Sequence, residues 1–373
     1  MNAIQKLKVL GESAKYDLCN YVDPNLETYA SGKIPGIYNS TASNGCVVPL
    51  FKVLMTNKCS NDCKYCVNHS NHKCERFEYT PQELSNLFLQ YYNKRYAEGL
   101  FLSSGVSGDI DPSMEKEVEV ARILRDCGYD GYIHLKVLPG TSYDLLKRAM
   151  SLADRVSINI EAATEDGFEE LTSTKNYKID ILRRMKWINK LSKRDPSLAP
   201  SGQTTQFIVG ASDESDEEIL NRTKELYDEL EIKRSYFSAF NPLENTPLEN
   251  HGAPHPKRTS RLYQADFLLN SYGFDLNELI FDENGNIDPQ IDPKYSFALN
   301  NMDLFPVEVN ESSYEELIRV PGIGQVSAKR IITLRKRGKH FEKLEELQEL
   351  GVVIKRAEPF VKLNKSYQAT LGF

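Results

Sequence analysis

The chain has 373 residues, a formal net charge of −7, 40% hydrophobic and 27% charged residues, the make-up of a soluble globular protein with two domains or one large barrel plus an appendage. No run of about 18 apolar residues predicts a membrane span, and seven cysteines in so long a chain do not read as a disulfide framework. The acidic total argues weakly against a nucleic-acid partner, so local charge has to decide that question.

Residues 1–47 read as an N-terminal extension: a short helix, then a lead-in rich in Gly, Ser and Asn from Ser31 to Gly45. The opening MNAIQKLKVLGESAKYD has neither a long apolar segment nor a small-residue cleavage site, so no signal peptide and a cytoplasmic location are expected. From Pro49 short apolar runs alternate with amphipathic stretches. The runs are 50–55, 100–104, 132–138, 155–160, 204–209 and 236–240, each bounded by polar or glycine-containing segments as buried strands are. Between them, Thr80 caps a helix with Pro81 at its first position and Glu83 at its third. Asp111 and Pro112 are expected to start the next helix in the same way, and Ser215 precedes another. Repeated strand–helix units predict an α/β fold, a partial (β/α)6 TIM-like barrel over residues 48–250, with its site at the C-terminal ends of the strands. Residues 251–310 read as a connecting helix, roughly 259–271, and loop. Residues 311–373 read as a small all-α module.

Four cysteines crowd into one short segment. TNKCSNDCKYCVNHS places Cys59, Cys63 and Cys66 as C-x3-C-x2-C directly after the first apolar run. A tight loop with three thiolates can hold a [4Fe–4S] cubane and leave one iron without a protein ligand, which is what a chelating substrate requires. A structural zinc site using His69, His72 or Cys74 is the bland alternative. Cys19, Cys46 and Cys127 read as buried or incidental thiols.

The cysteine motif resembles that of radical S-adenosylmethionine (SAM) enzymes. The resemblance implies that the amino and carboxylate groups of SAM take the open iron and that Tyr65 packs against its adenine. It implies that Ser103, Ser104 and Gly105 in SSGVSGD stand where that family has a glycine-rich turn for the SAM amino group, in place of the more usual Gly-Gly-Glu-Pro. Ser157, Asn159 and Glu161 alternate with Val156, Ile158 and Ile160 and are expected to share one strand face. In the family such a face lines the ribose and methionine of SAM. Lys136 and Gln206 are weaker candidates of the same kind.

Residues 313–339 resemble a helix–hairpin–helix motif. Pro321-Gly322-Ile323-Gly324 forms the hairpin between a helix ending near Ile318 or Arg319 and one running from about Val326 to Arg335. Backbone N–H groups of Gly322 and Gly324 and the N-terminus of the second helix suit a phosphate oxygen, without reading a base. Lys329 and Arg330 head a basic block with no acidic residue from 326 to 340. A degenerate second copy, 340–361, lacks the Gly-x-Gly hairpin and is expected to complete the small fold.

Together the two halves resemble the prokaryotic radical SAM proteins assigned to DNA modification or repair and associated with a uracil-DNA-glycosylase-like partner. The resemblance rests on AKYD (14–17), CVNHS (66–70), GLFLSSGV (99–106), GYIHLKVLPG (131–140), SINIEA (157–162), 204–220, RLYQADFLLNSYGF (261–274) and the hairpin. It implies reductive SAM cleavage to a 5′-deoxyadenosyl radical, a DNA substrate, and an electron donor such as flavodoxin or ferredoxin. A base in a duplex would have to leave the stack to reach a barrel mouth. The competing readings are an RNA-modifying enzyme, a non-catalytic DNA-binding scaffold with a structural metal centre, and a radical enzyme on a small molecule or peptide. No residue is marked as hydrogen-atom donor or general base.

Overall fold

The computed structural model describes residues 3–16, 34–41 and 46–363. Asp17 of the AKYD segment, Cys19, part of the Gly/Ser/Asn-rich lead-in and the last ten residues of the C-terminal module lie outside these. The chain divides into two units, Met1–Glu214 with Arg222–Pro256, and Ser215–Asn221 with Lys257–Phe373.

The first unit opens with α1 (Ala3–Ser13), which buries Leu7 and Leu10. A strand absent from the sequence reading follows, β1 (Ile37–Thr41), antiparallel to β2 (Val47–Leu54). Its residues IYNST lie among glycines and polar groups, so no apolar run marks it. The six expected runs become β2, β3 (Gly99–Ser103), β4 (Tyr132–Lys136), β5 (Arg155–Ser157), β6 (Gln203–Val209) and β7 (Arg234–Ala239). They pair in parallel, in the order β1-β2-β3-β4-β5-β6-β7. Parallel strands need crossovers. These are α2 (Pro81–Asn93), α3 (Ile110–Asp126), α4 (Tyr143–Leu152), and then α5 (Glu165–Leu171) with a π-helical run Tyr177–Leu182 that leads into α6 (Arg183–Arg194). The last is α7 (Asp216–Leu230). The result is a curled half-barrel sheet of seven strands, the α/β class expected.

Local signals explain several boundaries. Thr80 Oγ1 accepts from Glu83 N at 3.1 Å and the Glu83 carboxylate accepts from Thr80 N, a complete capping box with Pro81 first in α2. The start expected at Asp111-Pro112 is corrected. Helix α3 begins at Ile110 with Asp109 in the cap position, because the Asp111 carboxylate is taken by the amide of Ser142 at 2.9 Å. Strand β5 ends at Ser157 rather than 160. The barrel interior holds polar groups too. Lys52, 4% exposed, sets its ammonium 4.5 Å from the Tyr38 ring. The His134 ring lies 4.3 Å from that of Phe101.

The second unit contains α8 (Arg258–Ser271), α9 (Pro293–Asn300), α10 (Tyr314–Arg319), α11 (Gln325–Lys336), α12 (Leu344–Gln348) and α13 (Ile354–Ala357). A two-stranded parallel pair joins β8 (Val307–Glu308), before α10, to β9 (Val361–Lys362), after α13. The segment expected as a connection therefore builds part of this unit. Buried Lys294 of α9 donates to the Ile323 carbonyl at 2.6 Å, and Arg319 pairs with Glu278 at 3.0 Å.

Candidate active site

One cavity opens at the C-terminal ends of the parallel strands, with an empty volume of about 1140 Å³, part of it open to solvent. Every parallel strand except β5 contributes to its wall: Leu54 from β2, Ser103 from β3, Lys136 from β4, Gln206 and Ile208 from β6, Ser238 and Ala239 from β7. Asn159 and Glu161, just past the end of β5, join them.

The loop after β2 brings Cys59, Cys63, Tyr65 and Cys66 into the same cavity. This loop has no regular structure, so side chains and distant backbone hold it. The Arg76 guanidinium gathers the carbonyls of Asn57, Asn68, His69 and His72. The Asn57 amide bridges Glu75 O and Phe77 N at 2.8 and 2.7 Å. Ser60 N donates to Val106 O at 2.8 Å, and Lys64 N to Leu171 O at 2.9 Å. The Asp62 carboxylate accepts from Thr172, Ser173 and Thr174, and this donor cage holds its pKa well below the usual carboxylate range despite partial burial.

Gly105 closes the loop from the other side. Its N donates to Thr56 O at 2.8 Å, and a Cβ there would sit 2.4 Å from Lys58 O and 3.2 Å from Cys59 Cβ. Only glycine fits between the cysteine loop and the turn after β3. Ser103 and Ser104 line the cavity beside it, with Ser104 Oγ donating to Gly105 O at 2.8 Å.

Glu161 has φ +66°, the left-handed region that costs a non-glycine residue about 1–2 kcal/mol. Two backbone bonds hold it there, Glu161 N to Gln206 O at 2.9 Å and Ile208 N to Glu161 O at 2.7 Å. Its carboxylate accepts from Asn159 Nδ2 at 3.4 Å and from the Tyr65 hydroxyl. Burial, then Glu161, push the Tyr65 phenol well above its usual value, so it stays protonated and donates. Ser157 is not brought into the cavity wall. It is buried, with Oγ 2.8 Å from His134 Nε2. The expected shared face breaks because β5 ends at Ser157 and the backbone turns at Glu161.

Lys175, absent from the sequence reading, lines the cavity and donates to Cys63. Burial works against its charge, but Cys63 and Glu161 together hold its pKa above the usual lysine value. Burial also raises the Cys63 thiol and, reinforced by Cys63, pushes that of Cys66 up to about 12. Three thiols converging in a low-dielectric wall become thiolates when a strongly cationic group binds them.

The donor set fits an iron–sulfur cluster: soft thiolates on a tight loop, each able to take a different iron. The residues of the zinc alternative are placed elsewhere. His69 Nδ1 accepts from Asn71 N at 2.8 Å, and His69, His72 and Cys74 do not line the cavity. Among the described residues no three His, Cys, Asp or Glu side chains stand close enough to hold a single metal ion. Cys46 and Cys127 are exposed, not buried.

Residues 53–226 match the family model of the radical SAM superfamily. They are a radical SAM domain. The match supports a [4Fe–4S] cluster and SAM as cofactors of an enzyme and leaves the substrate open. Residues 305–354 match the model of a helix–hairpin–helix motif. No curated protein matches the sequence. Among solved structures, the FeFe-hydrogenase maturase HydG from Carboxydothermus hydrogenoformans is similar at 12% identity and TM-score 0.48, over 58% of this chain and 50% of that one. Methylornithine synthase (PylB) is similar at 14% and 0.47, over 58% and 60%. Coproporphyrinogen III oxidase (HemN) from Escherichia coli, titled a radical SAM enzyme, is similar at 13% and 0.37, over 57% and 50%. The chain thus spans about half the length of the HydG and HemN chains. The radical SAM domain here carries its cysteines on the loop after β2 and its SAM-side candidates on the walls of one cavity.

In the second unit, Gly322 has φ +86°, and a Cβ there would lie 2.5 Å from Val353 O. Val353 N donates to Gly322 O at 2.9 Å, so the degenerate second copy, α12–α13, packs on the first hairpin. Gly324 is the N-cap of α11 at φ −94° and is not in the left-handed region. Lys329 and Arg330 are exposed on α11, with Arg330 Nη1 3.2 Å from Leu350 O.

Proposed function

We propose that this protein is a radical SAM enzyme acting on DNA, in modification or repair. The observation that carries the reading is the shared cavity: Cys59, Cys63 and Cys66 line one opening at the strand ends together with Gly105, Asn159 and Glu161. Held by Cys59, Cys63 and Cys66, a reduced cluster would supply one-electron reductive cleavage of the SAM sulfonium to methionine and a 5′-deoxyadenosyl radical, the species that would take hydrogen from an unactivated C–H bond.

The three cysteines hold the cluster. Lys175 places a positive charge against Cys63 and offsets the thiolate charge. Glu161, fixed by its two backbone bonds, faces the cavity as an acceptor for a cationic or hydroxyl-bearing ligand group, with Asn159 beside it. Ser103, Ser104 and Gly105 supply hydroxyls and close backbone approach in the same cavity. Gly322, Gly324, Lys329 and Arg330 form the backbone-binding end of the helix–hairpin–helix, which supports a nucleic-acid substrate without reading sequence. An electron donor such as flavodoxin or ferredoxin completes the reaction. A uracil-DNA-glycosylase-like protein is the proposed partner, on the resemblance alone. A cytoplasmic place is part of this reading; no helix among the described residues is long and apolar enough to cross a membrane.

Anaerobically reconstituted protein, reduced with dithionite, should form 5′-deoxyadenosine. DNA should stimulate formation more than tRNA does, and the triple Cys59→Ala, Cys63→Ala, Cys66→Ala variant should form none. Zinc in place of iron in anaerobically purified protein, or stimulation by tRNA alone, would reject the enzyme or the DNA reading respectively.

A further inference from the structure

The barrel's surface charge is not evenly paired. On its crossover helices, cations meet carboxylates: Arg122 with Glu119 at 2.6 Å, Arg125 with Asp154 at 2.9 Å, Arg148 with Glu115 at 2.6 Å, Arg222 with Glu225 at 2.6 Å. Helix α6 departs from this. Residues 175–194 hold eight Lys or Arg and a single acidic residue, Asp180, within a chain of net charge −7. Arg184 is buried and donates to the carbonyls of Gly140 and Thr141. Lys193 pairs with Glu231 at 2.9 Å. Arg183, Lys186, Lys190 and Arg194 are exposed and, among the described residues, have no carboxylate partner.

These four cations are spaced by three, four and four residues, so they stand on one face of the helix. The opposite face buries Met185, Ile188 and Leu191. At 1.5 Å per residue the stripe is about 16 Å long, a length over which one strand of B-DNA presents about five phosphates at ~3.4 Å each. Lys186, Lys190 and Arg194 also line a shallow groove with Asn189 and Glu229. Along the chain the stripe follows the site: the helical run into α6 starts at Tyr177, two residues after the cavity-lining Lys175.

We infer that Arg183, Lys186, Lys190 and Arg194 of α6 form a second DNA-backbone contact, on the barrel itself, that holds a strand leading to the cavity. The inference rests on the DNA reading above. A linear row of unpaired cations suits a linear polyanion. An acidic protein such as an electron carrier is the alternative occupant.

The test is duplex-DNA binding by the full chain across a salt series, read by fluorescence anisotropy. Each lost duplex phosphate contact removes about 0.9 from the slope of log affinity against log salt. The variant Arg183→Gln/Lys186→Gln/Lys190→Gln/Arg194→Gln should therefore flatten that slope by about 2 to 4. The charge-preserving variant Arg183→Lys/Lys186→Arg/Lys190→Arg/Arg194→Lys should keep it, and circular dichroism should match for both. An unchanged slope in the Gln variant, with binding still weakened by Gly322→Ala in the hairpin, overturns the stripe and leaves the DNA reading standing. Absence of DNA binding by the unaltered protein overturns both.

Discussion

Asp62, between Cys59 and Cys63, accepts a hydrogen bond of 2.6 Å from the hydroxyl of Thr172, 110 residues further along the chain. Ser173 and Thr174 complete the same cage, so the cysteine loop is pinned to the turn after α5. Asp62→Ala leaves these donors to water and frees the loop. A loss of about 2 kcal/mol is expected for hydrogen bonds to a charged group. It should appear as a lower melting temperature and a reduced iron load after reconstitution, while Asp62→Asn should fall between.

Gly105→Ala drives a Cβ to within 2.4 Å of Lys58 O, against backbone that cannot rotate away. The cysteine loop must shift by a sizeable fraction of an ångström. Misplacement on that scale costs about a hundredfold in rate at a reacting centre. Formation of 5′-deoxyadenosine should drop by that order even where the iron content is normal.

The two hairpin glycines should behave differently. Gly322→Ala meets both a left-handed backbone and the Val353 carbonyl, so hairpin stability should fall by at least ~1–2 kcal/mol, with weaker DNA binding. Gly324→Ala has ordinary φ, and its Cβ would be 3.5 Å from the Tyr272 hydroxyl. It should change affinity little. Equal effects in the two variants would contradict this account of the hairpin.

Lys294 links pH to the stability of the second unit. Burial pushes it down to about 7, only partly offset by Asp292, while an unfolded lysine titrates near ~10.4. Between those values the unfolded chain binds a proton that the folded one does not. Stability should therefore rise with pH from about 7 toward ~10.4, by up to ~1.4 kcal/mol per unit. Urea unfolding at several pH values should show that slope, and Lys294→Met should remove it.

The strands, the cysteine loop and the hairpin were legible in the amino-acid order because each depends on neighbours a few residues apart. Short apolar runs, the C-x3-C-x2-C spacing, Thr80 with Glu83, and Pro321 to Gly324 all act within one element or one loop. Strand β1 escaped because IYNST follows its two apolar residues with Asn39, Ser40 and Thr41 and so forms no apolar run, and its pairing partner β2 supplies the order. The α3 start was misread because the Asp111 carboxylate answers Ser142, not its own helix.

The site's finer parts had no local signature. Lys175 reaches Cys63, Asp62 reaches Thr172, and Glu161 is held left-handed by Gln206 and Ile208. Each pair is far apart in the chain, and its energy exists only once the parallel sheet has brought the strand ends together. Ser157 shows the reverse: by period it belongs with Asn159 and Glu161, but the end of β5 and the turn at Glu161 leave it facing His134. Local periodicity and spacing suffice to specify elements and a cluster loop. Which side chains then meet depends on packing among residues the chain order keeps apart.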